Sequence, residues 1–461
     1  VNSADTIAAI ANAPGRGAIG IIRISGSQVP AIALALLGKL PEARSASLLR
    51  FRAEDGSALD EGVVLYFPAP ASFTGEHVLE LQGHGGPVVL DLVMQRLLAL
   101  GCRAALPGEF SERAFLNGKI DVTQAEAVAD LIDAGTAAAA RAAIRSMRGD
   151  FSARIAELQQ RLTELRKLVE AAIDFPDEDI ELAAHPQLQT LLAGIFSAFD
   201  SIMTAARQGS LLRDGLTVVI AGKPNAGKSS LLNRLAGDEI AIVTDLPGTT
   251  RDVLRQSLDL DGLTVNLIDT AGLRSTTDVI EAEGVRRARG EIRKADLVLY
   301  LVDATEIPAP SRLPTQDGRL TPGGPVPGDE LPPGVPCAVI FSKIDLLDMP
   351  ARIDSSATPV QIHLSAKSGA GIELLRAYLK TAAGYQGGDG GALSARRRHV
   401  DALARARQYT QQGAEGFAGT RSLELFAEDL RLAQLALGEI TGDFGSEELL
   451  GEIFRSFCIG K

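Results

Sequence analysis

Residues 222–230 read GKPNAGKSS, between the apolar run LTVVIA and the helix-forming text SSLLNRLAG. Gly222 and Gly227 enclose four residues, and Lys228 and Ser229 follow at once. A strand that turns through such a loop straight into a helix leaves the first helical N–H groups unpaired, with the positive end of the helix dipole behind them. That is a cradle for phosphate oxygens. It also restricts the surrounding chain, because the strand feeding the loop must be covered by crossover helices. The text obeys: LTVVIA, LTVNLID, LVLYLVD, CAVIFS and VQIHLS alternate with helical segments between residues 215 and 383. A mainly parallel sheet in an α/β domain is expected there.

The chemistry follows from what stands at the loop and downstream. Lys228 would reach the β and γ phosphates and the Ser229 hydroxyl would ligate Mg²⁺, with Asn225, Ala226, Gly227 and Ser230 completing the cradle. In TDLPGTTRD, residues Thr244, Asp245, Leu246, Pro247, Gly248, Thr249 and Thr250 form a candidate switch loop, in which Thr250 can complete the Mg²⁺ shell. In DTAG, Asp269 can hold Mg²⁺ through water and Gly272 can sense the γ-phosphate through its N–H, with Thr270 and Ala271 as further candidate contacts. The words SKID (Ser342, Lys343, Asp345) and SAK (Ser365, Ala366, Lys367) supply base recognition. The Asp345 carboxylate can accept both N1–H and N2–H₂ of guanine, and adenine offers neither pattern. The nucleotide is therefore GTP.

Two positions depart from the usual GTPase pattern. Ser342 stands where Asn or Thr is usual; its hydroxyl can make some of the same bonds at weaker affinity, or it marks a degenerate site. Leu273 stands where Ras-like enzymes place a water-orienting Gln. A leucine cannot orient water, so hydrolysis needs another residue and another positive charge.

The remainder of the 461 residues is enough for roughly two further domains. Residues 1–119 mix short β-like runs (IGIIRISG, GVVLYFPA, HVLELQG) with the helical PVVLDLVMQRLLALG, an α+β pattern. Residues 120–214 turn helical, and Phe151, Ile155, Leu158, Leu162, Leu165 and Val169 recur at alternating spacings of four and three. That is a seam for a long helix packed on others. Residues 384–461 return to helix, so the expected organisation is a discontinuous helical domain interrupted by the α/β domain of residues 215–383. The Pro- and Gly-dense stretch 307–336 cannot form a regular element and is read as an insertion without assigned function. GRGAIG fits a dinucleotide-loop spacing, but the β-like IIRIS follows it where a helix is required.

Composition excludes several classes. The net charge is −12, which argues against broad non-specific nucleic-acid binding; Arg141, Arg145 and Arg148, and the run Arg396 to Arg398, remain candidates for a local patch or a solvated face. Three cysteines, Cys102, Cys337 and Cys458, are too few and scattered for a disulfide framework or zinc site. No run of about 18 apolar residues lacks charge, and the first residues lack the form of a secretory signal. A cytoplasmic protein with no membrane span is expected.

The words PGRGAIGIIRISG, ASFTGEHVLELQGHGGPVVLD, PGEFSERAFLNGKIDVTQAEAVADLIDA, IDFPDEDI, GKPNAGKSSLLN, TDLPGTTRD, DTAGLR and the terminal CIGK resemble, over essentially the whole length, the MnmE (TrmE) family of tRNA modification GTPases. The resemblance implies three parts: a tetrahydrofolate-binding, dimerising N-terminal domain, a discontinuous helical domain and an inserted Ras-like P-loop G domain. It implies hydrolysis when G domains pair, with K⁺ supplying the missing positive charge, held by Asn225, Thr244, Leu246 and Thr249. Glu281 matches the family's water-orienting acid; by composition alone it reads as an exposed carboxylate at a helix start.

Arg23, Glu80, Lys119 and Lys461 match the folate contacts, although each alone also reads as a surface ion pair or helix cap. Cys458 falls near that pocket, in a catalytic or a structural role. The implied function is installation of a 5-carboxymethylaminomethyl or aminomethyl group on the wobble uridine of certain tRNAs. The one-carbon unit would come from 5,10-methylene-tetrahydrofolate, with 5-formyl-tetrahydrofolate as an analogue. The homodimer would work in a heterotetramer with a flavin (FAD) protein of the MnmG (GidA) family. The alternative is an RNA-associated regulatory GTPase of the ribosome-assembly type that carries out no modification chemistry; the G-domain words alone do not separate the two.

Overall fold

The computed structural model describes residues 5–174, 186–237, 241–242, 255–269, 295–307, 335–387, 391–419, 422–442, 447–455, 457 and 460. The first sheet is built on alternation. Its strands are β1 (Ile7–Ile10), β2 (Ile19–Ser25), β3 (Ser47–Arg52), β4 (Ala58–Phe67), β5 (Val78–His84) and β6 (Arg103–Ala104), in the order β3-β4-β5-β2-β1-β6. Along β2 the buried Ile22 and Ile24 point to one face and Ile21 and Arg23 to the other. The first face is covered by α1 (Val29–Leu37) and α2 (Pro87–Ala99), whose Ile32, Leu36, Val93 and Leu97 close a core with Ile22, Ile24, Leu79 and Leu81. Cys102 lies in that core, and burial pushes its thiol pKa up to about 12, so it is an inert apolar filler at neutral pH.

On the opposite face, α3 (Glu109–Leu116) is held by charge as well as by Phe110. The fully buried Glu109 accepts from Arg103 at 2.7 Å and Arg113 at 2.9 Å, and Arg113 also reaches Glu76 at 3.0 Å. Burial works to raise the Glu109 pKa, but the Arg103, Leu106 and Arg113 donors outweigh it and hold the carboxyl below its usual range.

The helical text forms α4 (Val122–Ile132), α5 (Ala137–Met147), α6 (Asp150–Asp174) and α7 (Pro186–Asp214). All six seam residues of α6, from Phe151 to Val169, are fully buried. Part of α7, Leu188–Asp214, is by length and composition apolar enough to cross a membrane. Its buried Leu188, Ile195, Phe199 and Ile202 lie at helical spacing, and Asp200 pairs with Arg407 at 3.1 Å. That is the pattern of a helix packed along one side.

The α/β segment contains β7 (Leu216–Gly222), α8 (Lys228–Gly237), β8 (Ala241–Ile242), β9 (Arg255–Leu260), β10 (Leu263–Asp269), β11 (Leu297–Asp303), β12 (Cys337–Ser342), β13 (Arg352–Asp354), β14 (Val360–His363) and α9 (Ile372–Ala382). The sheet order is β13-β14-β12-β11-β7-β10-β9-β8, parallel from β14 to β10 and antiparallel at both edges. One face buries Val218, Ile220, Leu231, Ile340 and Leu375, the other Val219, Ile268, Val298 and Tyr300. Strands covered on both faces read as near-continuous apolar runs, as the central β7, β11 and β12 do. Helices α10 (Arg397–Gly419), α11 (Leu423–Thr441) and α12 (Glu447–Arg455) complete the described elements, and α6 meets α11 through Arg166–Gln434 (3.2 Å) and Gln434–Thr163 (2.7 Å).

Packing divides the chain into two units: residues 1–132, 144–202 and 401–461 in one, and residues 133–143 and 203–400 in the other. The second is wider than the inserted segment read from the sequence, because the end of α7 and residues 391–395 cross there. A Cβ on Gly209 would lie 1.6 Å from the Leu393 carbonyl oxygen, and Leu393 N–H donates to Ala205 O at 3.3 Å.

His363, on β14, is 4% exposed and stacks on Phe341 at 4.6 Å, and among the described residues neither ring nitrogen has a hydrogen-bond partner. Burial pushes its pKa down to about 4, so the folded chain holds it neutral while the unfolded chain protonates near 6.5. Stability from this group is present above the unfolded value and is lost as pH falls from about 6.5 towards about 4. Acidification to pH 5 is expected to cost about 2 kcal/mol through this residue. His363→Leu removes that dependence; equal shifts of the urea midpoint between pH 7 and pH 5 in the two proteins, followed by circular dichroism, would refute it.

Candidate functional site

The loop after β7 takes its shape from two glycines and one asparagine. Gly222 has φ +138°, and a Cβ there would strike the Leu301 carbonyl oxygen at 2.3 Å, so only glycine lets β7 and β11 run this close to the turn. Asn225 (φ 62°) and Gly227 (φ 98°) carry the left-handed backbone that folds the loop over the start of α8. The Lys228 ammonium, on a residue 8% exposed, donates to the loop carbonyls of Gly222 (2.9 Å) and Lys223 (2.8 Å). Ala226 is buried, whereas Asn225, Ser229 and Ser230 are exposed on the open side of the loop. Lys228 therefore braces the ring whose N–H groups would bind phosphate.

Strand ends converge here. Asp269 closes β10 and pairs in register with Ile220 of β7. Ser342 closes β12 opposite Asp303 of β11. The Ser342 hydroxyl lies 2.6 Å from the Ala226 carbonyl and 3.1 Å from that of Val302, tying the end of β12 to the loop after β7. Lys343, at φ 60°, donates to Asp303 at 2.6 Å. Burial works to raise the Asp303 pKa, but Lys343 and the two Thr305 donors outweigh it and keep the carboxyl low and ionised. Asp345 stands half-buried on the following turn, and among the described residues nothing hydrogen-bonds its carboxylate. Ser365 is fully buried, its N–H bonded to Ala370 O and its hydroxyl accepting from Ser368 N–H, so that Ala366 and Lys367 form the turn at the sheet edge.

In the N-terminal sheet, Arg23 and Glu80 are direct cross-strand partners. Arg23 Nε and NH2 both meet Glu80 Oε1, at 3.0 and 2.9 Å, and no described residue bonds Oε2. The guanidinium lies 5.9 Å from the Phe73 ring centre and 5.8 Å from that of Phe110. Lys119 Nζ donates to Pro70 O at 3.1 Å, on the same loop as Phe73.

The chain's far end reaches this domain. Phe454 and Phe457 are buried in a cluster with Val122 and Ala125. A Cβ on Gly108 would meet the Phe454 carbonyl oxygen at 2.3 Å, and one on Gly460 would meet Ile10 O at 2.8 Å. Gly460 thus lies backbone to backbone against the end of β1, whose Ala9 pairs with Arg23.

The family described as GTP-binding protein TrmE N-terminus matches residues 6–119, and that described as MnmE helical domain matches residues 122–458. The chain belongs to the MnmE family. Among MnmE relatives, a protein of Methylococcus capsulatus named tRNA modification GTPase MnmE is 54% identical over 457 residues, 99% of each chain. One of Sodalis glossinidius with the same name is 54% identical over 465 residues, covering all of both chains. MnmE membership accounts for the three-part sequence: an α+β N-terminal domain, helices split around an insertion, and a P-loop GTPase segment.

Several MnmE-matched positions lie outside the described residues: Thr244 to Thr250, Thr270 to Gly272, Glu281, Cys458 and Lys461. The same holds for most of the proline-rich stretch 307–336 and for the side chain of Asp269. Mg²⁺ fits what is described, since Ser229 offers an exposed hydroxyl at the helix start. The exposed Asn225 suits a role as an oxygen ligand for K⁺. The sequence signal for Asp303 is that it ends the run LVLYLVD as Asp269 ends LTVNLID, a strand-terminal acid beside the strand that leads into SKID. Gly108 and Gly460 had no such signal.

Proposed function

We propose that this chain is a K⁺-stimulated, Mg²⁺-dependent GTP hydrolase that acts as a homodimer in the cytoplasm. With an FAD protein of the MnmG (GidA) family, in a heterotetramer, it installs a 5-carboxymethylaminomethyl or aminomethyl group on the wobble uridine of certain tRNAs. Family membership supports the tRNA and GTPase parts of this reading. The loop braced by Lys228 and the open carboxylate of Asp345 support guanine nucleotide as the ligand. When bound, Mg²⁺ and K⁺ supply positive charge against the phosphates, and Glu281 orients the attacking water that Leu273 cannot.

The observation that carries the folate part is the seating of Gly460 on β1 beside the strand of Arg23, one residue from Lys461. A pterin ring with adjacent N–H donors suits the free Oε2 of Glu80. The anionic glutamate tail of a folate suits Arg23, Lys119 and Lys461. 5,10-Methylene-tetrahydrofolate would bring the one-carbon unit, and these side chains would bind and orient it. Titration of the full chain with 5-formyl-tetrahydrofolate is expected to give saturable binding that Glu80→Ala weakens by tenfold or more, about the value of a charge-assisted bond. Intact GTP turnover with no folate binding in the unsubstituted protein would instead favour a regulatory GTPase that modifies nothing.

A further inference from the structure

Guanine presents two edges to a protein. N1–H and N2–H₂ are donors; O6 and N7 are acceptors. Asp345 has only acceptors and therefore serves the first edge. The second edge needs donors, and Ser342, which closes β12 three residues before Asp345 and bonds the Ala226 carbonyl, is the candidate side chain.

We infer that Ser342 leaves N7 of the base without a side-chain donor, so that this chain binds a guanine nucleotide and its 7-deaza analogue equally well. The inference rests on the guanine-nucleotide reading of the site. A serine hydroxyl carries one hydrogen. Here it faces two carbonyl oxygens, Ala226 O at 2.6 Å and Val302 O at 3.1 Å, on a residue 3% exposed. Both neighbours only accept, so the hydrogen is committed inside the protein whichever it serves. What the hydroxyl has left are lone pairs, which N7 cannot use.

The neighbouring cation is engaged within the protein. Lys343 Nζ is held by Asp303 at 2.6 Å, and the other Asp303 oxygen is occupied by Thr305 N (2.9 Å) and Thr305 Oγ1 (2.7 Å). An asparagine at position 342 would differ in one respect that matters. Its amide has two hydrogens, one for the Ala226 carbonyl and one for the base. Guanine is still told from adenine, because Asp345 reads the edge on which the two bases differ in donors.

The test is calorimetric titration of the full chain with GDP and with 7-deaza-GDP in Mg²⁺ buffer. Dissociation constants equal within about twofold are expected for the unsubstituted protein; a preference of about fivefold or more for GDP, the value of one net hydrogen bond, overturns the inference. In Ser342→Asn, GDP is expected to bind about fivefold more tightly while 7-deaza-GDP is unchanged. An equal gain for both nucleotides, or none for either, counts against the assignment. The unsubstituted protein decides the question if the variant does not fold. Failure of both nucleotides to bind the unsubstituted protein is a separate result, which removes the guanine-nucleotide reading itself.

Discussion

Gly209→Ala is expected to destabilise the second unit by more than about 4 kcal/mol, beyond the range of an ordinary point substitution. Alanine normally stabilises a helix interior over glycine by about 1 kcal/mol, so the sign itself is diagnostic. Gly209 lies within α7, and an added Cβ would stand 1.6 Å from Leu393 O, 2.4 Å from Leu393 C and 3.2 Å from Ser394 N. All three atoms are backbone, so no side chain can swing aside. Leu393 is 1% exposed, its N–H is bonded to Ala205 O, and the next N–H approaches Ala142 O at 3.5 Å. Relief therefore requires moving the whole segment that leads from the α/β domain back to α10. Gly451, inside α12 with nothing within 4 Å of its built Cβ, is the control. There alanine should be neutral or stabilising by about 1 kcal/mol. Urea midpoints of the two variants against the unsubstituted protein make the comparison, and a Gly209→Ala midpoint matching that of Gly451→Ala would show that the two segments do not cross as closely as described.

Glu281→Ala is expected to lower the GTP hydrolysis rate by about 10²-fold or more, the usual contribution of a positioned acid or base, with GTP affinity unchanged. Glu281 matches the family's water-orienting acid and lies outside the described residues. The physical need is independent of that match: Leu273 offers no polar atom to the attacking water. Binding should survive because the cradle is made by Gly222 to Ser230 and its brace by Lys228, none of which depends on residue 281. Single-turnover hydrolysis and equilibrium binding, each in K⁺ and in Na⁺, separate the possibilities. If the variant hydrolyses at the original rate, another residue orients the water; if K⁺ and Na⁺ give equal rates in the unsubstituted protein, the cation has no part in activation.

Much of the fold was readable because its information is local. The α6 seam repeats at four and three residues, and every one of its six positions is buried. The five apolar runs of the α/β domain became parallel strands in one sheet, and GKPNAGKSS became a loop between strand and helix. IIRIS, which spoke against a dinucleotide loop, is strand β2. The α3 network was not readable, since nothing in the spacing of Arg103, Glu109, Arg113 and Glu76 announces that they share one buried cluster. Likewise Ser342 looked like a departure of uncertain effect until its hydroxyl was found on the Ala226 carbonyl, 116 positions away.

By itself, the sequence determined where most strands and helices lie, which words are the candidates for phosphate and guanine, and which family the chain resembles. Those properties depend on residues within a turn or two of each other, where periodicity and backbone preference act. Only the tertiary structure decided where glycine is indispensable and which carboxylates are already occupied. Gly108, Gly209 and Gly460 are required by backbone arriving from a distant part of the chain, and Asp303 is committed to Lys343 while Asp345 is left open. Close approach between remote segments has no periodic trace in the chain, because it is set by the packing of whole elements and not by the residues that happen to meet.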